Sequence, residues 1–300
     1  KRDQRRVTGR ERDVPYLITE FCGHMCPTKA YDHEERVIEQ AWRHMGMHDA
    51  VGRDPSTAGA IGWCAFDYQT HNNFGSGDRI CYHGVMDVFR LPKMAAHFYR
   101  SQLSPQKEPV LEAATYWSVG DRNGGGITPL TVFTNCDYIE VEVNGKELGR
   151  FYPDKERFPG LEYPPCVIDN FNVCWGEAWG GGVFRGHVDG RLAIRREYAH
   201  DPVPSCLEVR ADDAAIAADG SDATRVTVRA LDQKGNVLPI FFSPLAIRVE
   251  GPGLCVGDTL VSTQAGVYAF WVRSSGASGD IRVTVDNPRL GAQSLTIAAK

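Results

Sequence analysis

Hydrophobic positions follow three rhythms along the chain. Residues 14–19 (VPYLIT) are nearly all apolar, as in a short parallel strand buried on both faces. In the next segment, DHEERVIEQAWRHMGMHDAVGR, Val37, Ile38, Ala41, Trp42 and Met45 recur at spacings of one, three and four, while Glu34, Glu35, Glu39 and Arg43 fill the opposite side. This predicts an amphipathic helix, with Asp32 as its N-cap and Glu35 three residues on. A second apolar run at 60–66 (AIGWCAF) predicts another strand, and Pro92 opens a helix through Lys93, Ala95, Ala96, Phe98 and Tyr99. Two parallel strands cannot bury themselves, so this strand-helix-strand-helix stretch is expected to end a larger α/β unit, and to leave apolar strand faces uncovered when taken alone.

At 104–109 (SPQKEP) the period changes to two. Ile139, Val141 and Val143 alternate with Glu140, Glu142 and Asn144, and Asn144-Gly145 is a strong hairpin signal. After a second break at 200–204 (HDPVP), Val226/Val228/Ala230, Tyr268/Phe270/Val272, Ile281/Val283/Val285 and Leu295/Ile297 alternate in the same way. Two β-sandwiches fit this spacing. The predicted organisation is therefore multidomain, α/β followed by all-β: residues 1–106, 107–200 and 201–300.

Composition narrows the partners. The 300 residues suit two or three domains, and no apolar run approaches the roughly 20 residues of a membrane-spanning helix, so a membrane is not an expected partner. With 33 basic and 38 acidic side chains the net charge is -5, the wrong sign for neutralising phosphates, so nucleic acid is not expected either. Nine irregularly spaced cysteines do not suggest a disulfide framework. The cationic start KRDQRRVTGRER leads into no apolar signal segment, and Lys1 is not an initiating methionine, so a piece of a longer chain is expected.

Glu20 is the most suggestive residue for chemistry. It closes a predicted parallel strand, and the C-terminal edge of such strands is where a β/α barrel builds its active site. A carboxylate there can serve as nucleophile or base; the alternative is a strand-end carboxylate held by a neighbouring cation or N–H. Trp63 and the pair Asp67-Tyr68 end the next strand and can share the rim, and aromatic faces beside a carboxylate suit the C–H faces of a sugar. Other signals read as structural. Cys22, His24 and Cys26 lack a second ligand pair for zinc. His44 and His48 read as an exposed helix edge, the glycine runs 124–126 and 180–182 as loops, and the basic cluster 1–12 as a solvated turn. Trp117, Trp175, Trp179 and Trp271 read as core rather than as a sugar-binding platform.

The segments VPYLITEFCGHMCPTK and AIGWCAFDYQTHNNFGSGDRICYHGVMDVFRLPKMAAHFYRSQ resemble the last two strand-helix units of the catalytic barrel of glycoside hydrolase family 2, specifically its β-galactosidases. VFTNCDYIEVEVNGKELGR, and IAADGSDATRVTVRALDQKGN with VEGPGLCVG, resemble the immunoglobulin-like modules that trail that barrel. The resemblance implies a partial (β/α)8 barrel over 1–106, with immunoglobulin-like sandwiches over 107–200 and 201–300. It makes Glu20 the nucleophile of a retaining reaction through a covalent glycosyl-enzyme. It makes Trp63 the floor of the galactosyl subsite, and His24 and His83 sugar-binding candidates, beside Asp67, a candidate from its place on the same rim. His83 stands where some relatives carry asparagine, which leaves the sugar open between galactoside, glucuronide and mannoside.

One element is missing. A retaining pair needs a second carboxyl about 5–5.5 Å from the nucleophile. In the family that acid/base lies on an earlier strand, before Lys1, and Asp67, Asp78 and Asp87 do not match its motif. The resemblance thus implies a chain inactive alone, whose partners are a β-galactoside or related glycan and the N-terminal part of the same enzyme, with homo-oligomerisation open. No organic cofactor is implied, and a divalent or monovalent cation belongs, if anywhere, to the intact enzyme. Relatives with such modules are often exported, which suggests a periplasmic or secreted location. The rival class is a non-catalytic module in which the tandem sandwiches bind carbohydrate or protein.

Overall fold

A computed structural model of the chain describes residues 15–23, 27–73, 77–118, 129–169, 171 and 180–300. His24, Cys26, Trp175, Trp179, the basic cluster 1–12 and the glycine run 124–126 lie outside the described residues. The chain divides into two compact units, one running to Asp201 and one from Pro202 to Lys300.

The first unit opens with two parallel strands, β1 (Tyr16–Phe21) and β2 (Thr57–Gly62), paired through Leu17 with Gly59 and Ile18 with Ala60. The cover that such apolar runs call for is missing, as expected of the segment taken alone: Leu17 is 49% and Ile61 54% exposed, because the sheet has only these two strands among the described residues. The second strand also starts and stops earlier than its apolar run. After Gly62 the chain turns through a cis Trp63–Cys64 peptide, and residues 64–67 are held instead by a short ladder to residues 83–86. Between β1 and β2 lies α1 (Glu34–Gly52). Its N-cap is His33, whose Nδ1 accepts from the Glu35 N–H, while the expected cap, Asp32, accepts instead from the Lys29 N–H at 2.7 Å. A two-residue ribbon, β3 (Tyr68–Gln69) with β4 (Ile80–Cys81), precedes α2 (Met94–Ser101).

The change of rhythm near residue 106 marks a change of element type rather than a gap in packing. Ala41 and Met45 of α1 and Ala95 and Phe98 of α2 share one core with Ala114, Phe133, Phe158 and Leu161. Polar contacts reinforce it. Glu34, expected on the solvent face, is buried and accepts from the Thr115 hydroxyl at 2.7 Å; Trp42 donates to the Thr131 hydroxyl at 3.1 Å. Asn135 fastens the connector, accepting from the Val110 N–H and donating to the Leu103 and Glu108 carbonyls, each at 2.8 Å. Backbone meets backbone where α1 ends: a Cβ on Gly160 would lie far inside contact distance of the Asp49 carbonyl oxygen. Gly160→Ala is therefore expected to cost about 3 kcal/mol, read as a lowered urea midpoint; an unchanged midpoint would show that this contact is soft.

The rest of the unit is a sandwich. One sheet orders β11 (Arg191–Tyr198), β10 (Gly182–Val188), β7 (Tyr138–Val143) and β8 (Lys146–Phe151); the other orders β5 (Leu111–Ala113), β6 (Leu130–Thr134) and β9 (Cys166–Ile168). Ile139, Val141 and Val143 face inward as their alternation requires. Asn144 and Gly145 both take positive φ, 53° and 73°, the turn that a two-residue hairpin needs. Trp117 is core, 2% exposed, stacked on Tyr198 and donating to the Gly180 carbonyl.

The second unit packs a sheet of β12 (Cys206–Ala211), β14 (Ala223–Leu231), β18 (Val267–Ser274) and β16 (Gly253–Val256) against one of β13 (Ala215–Ile216), β20 (Gly291–Ala299), β19 (Gly279–Asn287), β15 (Pro244–Glu250) and β17 (Leu260–Ser262). The alternating residues Val226, Val228, Phe270, Val272, Ile281, Val283, Val285 and Ile297 fill its core.

Candidate active site

Because β1 and β2 run parallel, their C-terminal ends open onto one edge. Glu20, next to last in β1, is exposed there. Trp63 follows the end of β2, and its backbone N–H donates to the Phe21 carbonyl at 2.8 Å, which seats the residue beside the strand end that carries Glu20. Gly23 is close to both residues: a Cβ added to it would be 2.5 Å from Glu20 Oε1 and 3.8 Å from Trp63 Cβ. The indole is 38% exposed and meets Tyr68 edge-on, with ring centroids 6.2 Å apart. The structure thus brings Glu20 and Trp63 together at an open edge, both exposed there.

Asp67 and His83 take other positions. Asp67 is 4% exposed, and its Oδ1 accepts from Lys93 Nζ at 2.8 Å and from the Gly84 N–H at 2.9 Å. Burial pushes the Asp67 carboxyl up, to about 6, against the pull of the Lys93 ammonium, and burial pushes that ammonium down against the pull of Asp67. His83 is also buried; its Nδ1 lies 3.0 Å from Cys81 Sγ, and its carbonyl accepts from the Cys64 N–H. His24 lies outside the described residues. Among the described residues, no group of three or more His, Cys, Asp or Glu side chains is arranged to hold a metal ion.

Two polar groups behind the edge were not singled out by sequence reasoning. Lys93, counted as a helix residue, has a fully buried side chain whose ammonium also reaches the Thr28 carbonyl at 2.7 Å and the Tyr82 carbonyl at 3.4 Å. Gln40, on the apolar face of α1, donates to the Gly84 carbonyl at 3.1 Å and the His83 carbonyl at 3.4 Å. The signal for both was a polar residue interrupting an apolar stripe.

His44 and His48 are not an exposed edge. His44 is buried, and both rings reach the Tyr99 hydroxyl, His44 Nδ1 at 2.9 Å and His48 Nε2 at 3.2 Å, with Phe21 packed against both. A tyrosine hydroxyl has one proton, so it donates to one imidazole and accepts from the other. Burial, the charge of His48 and then that of Lys93 lower the His44 pKa to about 4. The folded state therefore favours neutral His44, and the stability this contributes is present above the ordinary histidine range and lost as pH falls from about 6.5 to about 4. The loss is expected to reach about 3 kcal/mol, seen as a falling denaturation midpoint that His44→Gln flattens.

Comparison with known proteins gives these features a family. The model of glycoside hydrolase family 2 C-terminal domain 5 matches residues 207–296, and a domain of unknown function, DUF4982, matches 125–165. A β-galactosidase of Thermoanaerobacterium thermosulfurigenes is 47% identical over 272 residues, 88% of this chain and 38% of that protein. A β-galactosidase sequence of Rhizobium radiobacter is 36% identical over 132 residues, 43% of this chain and 96% of that sequence. Among solved structures, a β-glucuronidase from glycoside hydrolase family 2 superposes with a TM-score of 0.71 at 20% identity, over 96% of this chain and 32% of that one, a likeness of fold. The chain belongs to glycoside hydrolase family 2. It spans little more than a third of the length of the longer β-galactosidase.

Proposed function

We propose that the chain is the C-terminal part of a retaining β-galactosidase and that Glu20 is its nucleophile. In this reading β1, α1, β2 and α2 are the last two strand-helix units of a (β/α)8 barrel, within residues 1–106, and immunoglobulin-like modules follow over 107–200 and 201–300. The observation that carries it is Glu20 beside the exposed Trp63 at the shared C-terminal edge of two parallel strands. The similarity to β-galactosidases over most of the chain supports the sugar.

The chemistry follows from the arrangement. A Glu20 carboxylate oxygen attacks the anomeric carbon, the bond to the departing oxygen breaks, and an acid protonates that oxygen. Water, deprotonated by the same group, then displaces Glu20 from the opposite face, so configuration is retained overall. Trp63 offers its ring to the apolar face of the galactosyl unit. Asp67, tied to Lys93, acts from behind the edge rather than on the sugar, and His83 does the same. The acid/base carboxyl comes from polypeptide outside these 300 residues, so the chain alone turns over no substrate.

Hydrolysis of a chromogenic β-galactoside tests this. We expect silence from the chain alone and activity when it is mixed with the N-terminal part of the enzyme. Turnover by the chain alone would sink the missing-acid argument. In a substrate panel on the full-length enzyme, preference for a glucuronide or a mannoside would overturn the choice of sugar.

A further inference from the structure

We infer that Lys93 is a positioning residue of the catalytic edge, a single buried ammonium that holds the segments following β1, β2 and β4 in register so that Glu20 and Trp63 face the same substrate. The inference rests on the reading of Glu20 as nucleophile. Its ground is the placement of three acceptors. Thr28 lies on the segment that leaves β1 after Glu20, Asp67 on the segment that leaves β2 after Trp63, and Tyr82 directly after β4; all three receive Lys93 Nζ, at 2.7, 2.8 and 3.4 Å.

Each tie is extended by a backbone bond. The Thr28 N–H donates to the Tyr82 carbonyl at 2.8 Å, so the ammonium and a backbone bond clamp the same pair of segments. Asp67 Oδ1 accepts from the Gly84 N–H as well as from Lys93, which fixes the residues after Trp63 against residues 83–86. Gly84 has no room for a side chain, since an added Cβ would collide with backbone atoms of Phe66, Asp67 and Met86. Lys93 itself starts at a fixed point, because its N–H donates to the Val85 carbonyl at 3.0 Å just before α2. An ammonium with three protons and three acceptors of this kind can be satisfied in one arrangement of the three segments. Removing it loosens the segments that adjoin the ends of β1 and β2, where Glu20 and Trp63 sit, and a displacement of about 1 Å at a reacting carboxylate can cost about 100-fold in rate.

The test uses the full-length enzyme and an activated 2-deoxy-2-fluoro-galactoside, which labels the nucleophile covalently and so reports its placement apart from later steps. We expect Lys93→Met to slow labelling of Glu20 about 100-fold at a temperature well below its own unfolding midpoint, with kcat falling by a similar factor. Asp67→Asn, which keeps size and shape, is the second variant should Lys93→Met not fold. We expect it to slow labelling about tenfold, one tie of three being weakened. Labelling of Glu20 at the wild-type rate in a folded Lys93→Met or Asp67→Asn enzyme would overturn the inference and leave the nucleophile assignment standing. Labelling of a different carboxylate in the unmodified enzyme would overturn that assignment, and this inference with it.

Discussion

Replacing Glu20 by glutamine in the full-length enzyme is expected to lower kcat for a β-galactoside by about 10⁴-fold or more, with little change in substrate binding. The amide keeps the shape of the side chain and its place beside Trp63 but cannot form the covalent intermediate. Loss of a group that acts only in the reaction falls on kcat and on kcat/KM together, whereas loss of a ground-state contact raises KM. Because Glu20 is exposed and at the end of its strand, the substitution should leave the unfolding midpoint where it was. An enzyme that keeps more than a tenth of its rate after Glu20→Gln would remove Glu20 from the reaction. A shift of the midpoint by several degrees would instead favour the strand-end carboxylate held structurally.

The second large effect is on stability. Lys93→Met should destabilise the first unit by about 3–5 kcal/mol, since it leaves the Asp67 carboxyl buried without its cation. Pairing it with Asp67→Leu should recover part of that loss, because the stranded charge disappears with its partner; the Thr28 and Tyr82 carbonyls still lose a donor and the Gly84 N–H loses its acceptor, so recovery stays incomplete. Denaturant midpoints of the two single variants and the double variant give the coupling directly. Additive losses would show that the two side chains do not act as a pair.

Element types in the sheet-rich part were legible from period where a strand has one wet face and one dry face, as β7 and β19 do, whereas β6 is buried along its whole length. Ile139, Val141 and Val143, and later Ile281, Val283 and Val285, point inward as their spacing requires. The strand-helix part was legible in kind, and so were the uncovered faces of its strands when the segment is taken alone. A run such as VPYLIT reads as covered on both sides, yet what covers a strand is set by its neighbours, and Leu17 stays open in this chain. For the candidate site, Glu20 and Trp63 were visible because strand ends on one edge converge. The buried hub was not, because Lys93, Asp67, Thr28 and Tyr82 are far apart in sequence and meet only when three loops fold over one another. His44 was misread for a related reason: an i, i+4 histidine pair looks like a wet edge until Tyr99, from another helix, supplies a hydroxyl to both rings.

The core shared by α1, α2, Phe133 and Phe158 bears on how such chains can be cut and recombined. A hybrid that joins the helices of one relative to the first sandwich of another near residue 106 would put the two halves of that core under different ancestry. Ala41 and Phe98 would then meet side chains they did not arise with, and Gly160 would meet a foreign helix end. A joint at Asp201 leaves each of the cores described above on one side of the cut, since among the described residues each lies within a single compact unit. The first sandwich is thus best inherited with the strand-helix segment as one cassette, and the last hundred residues can be exchanged as another.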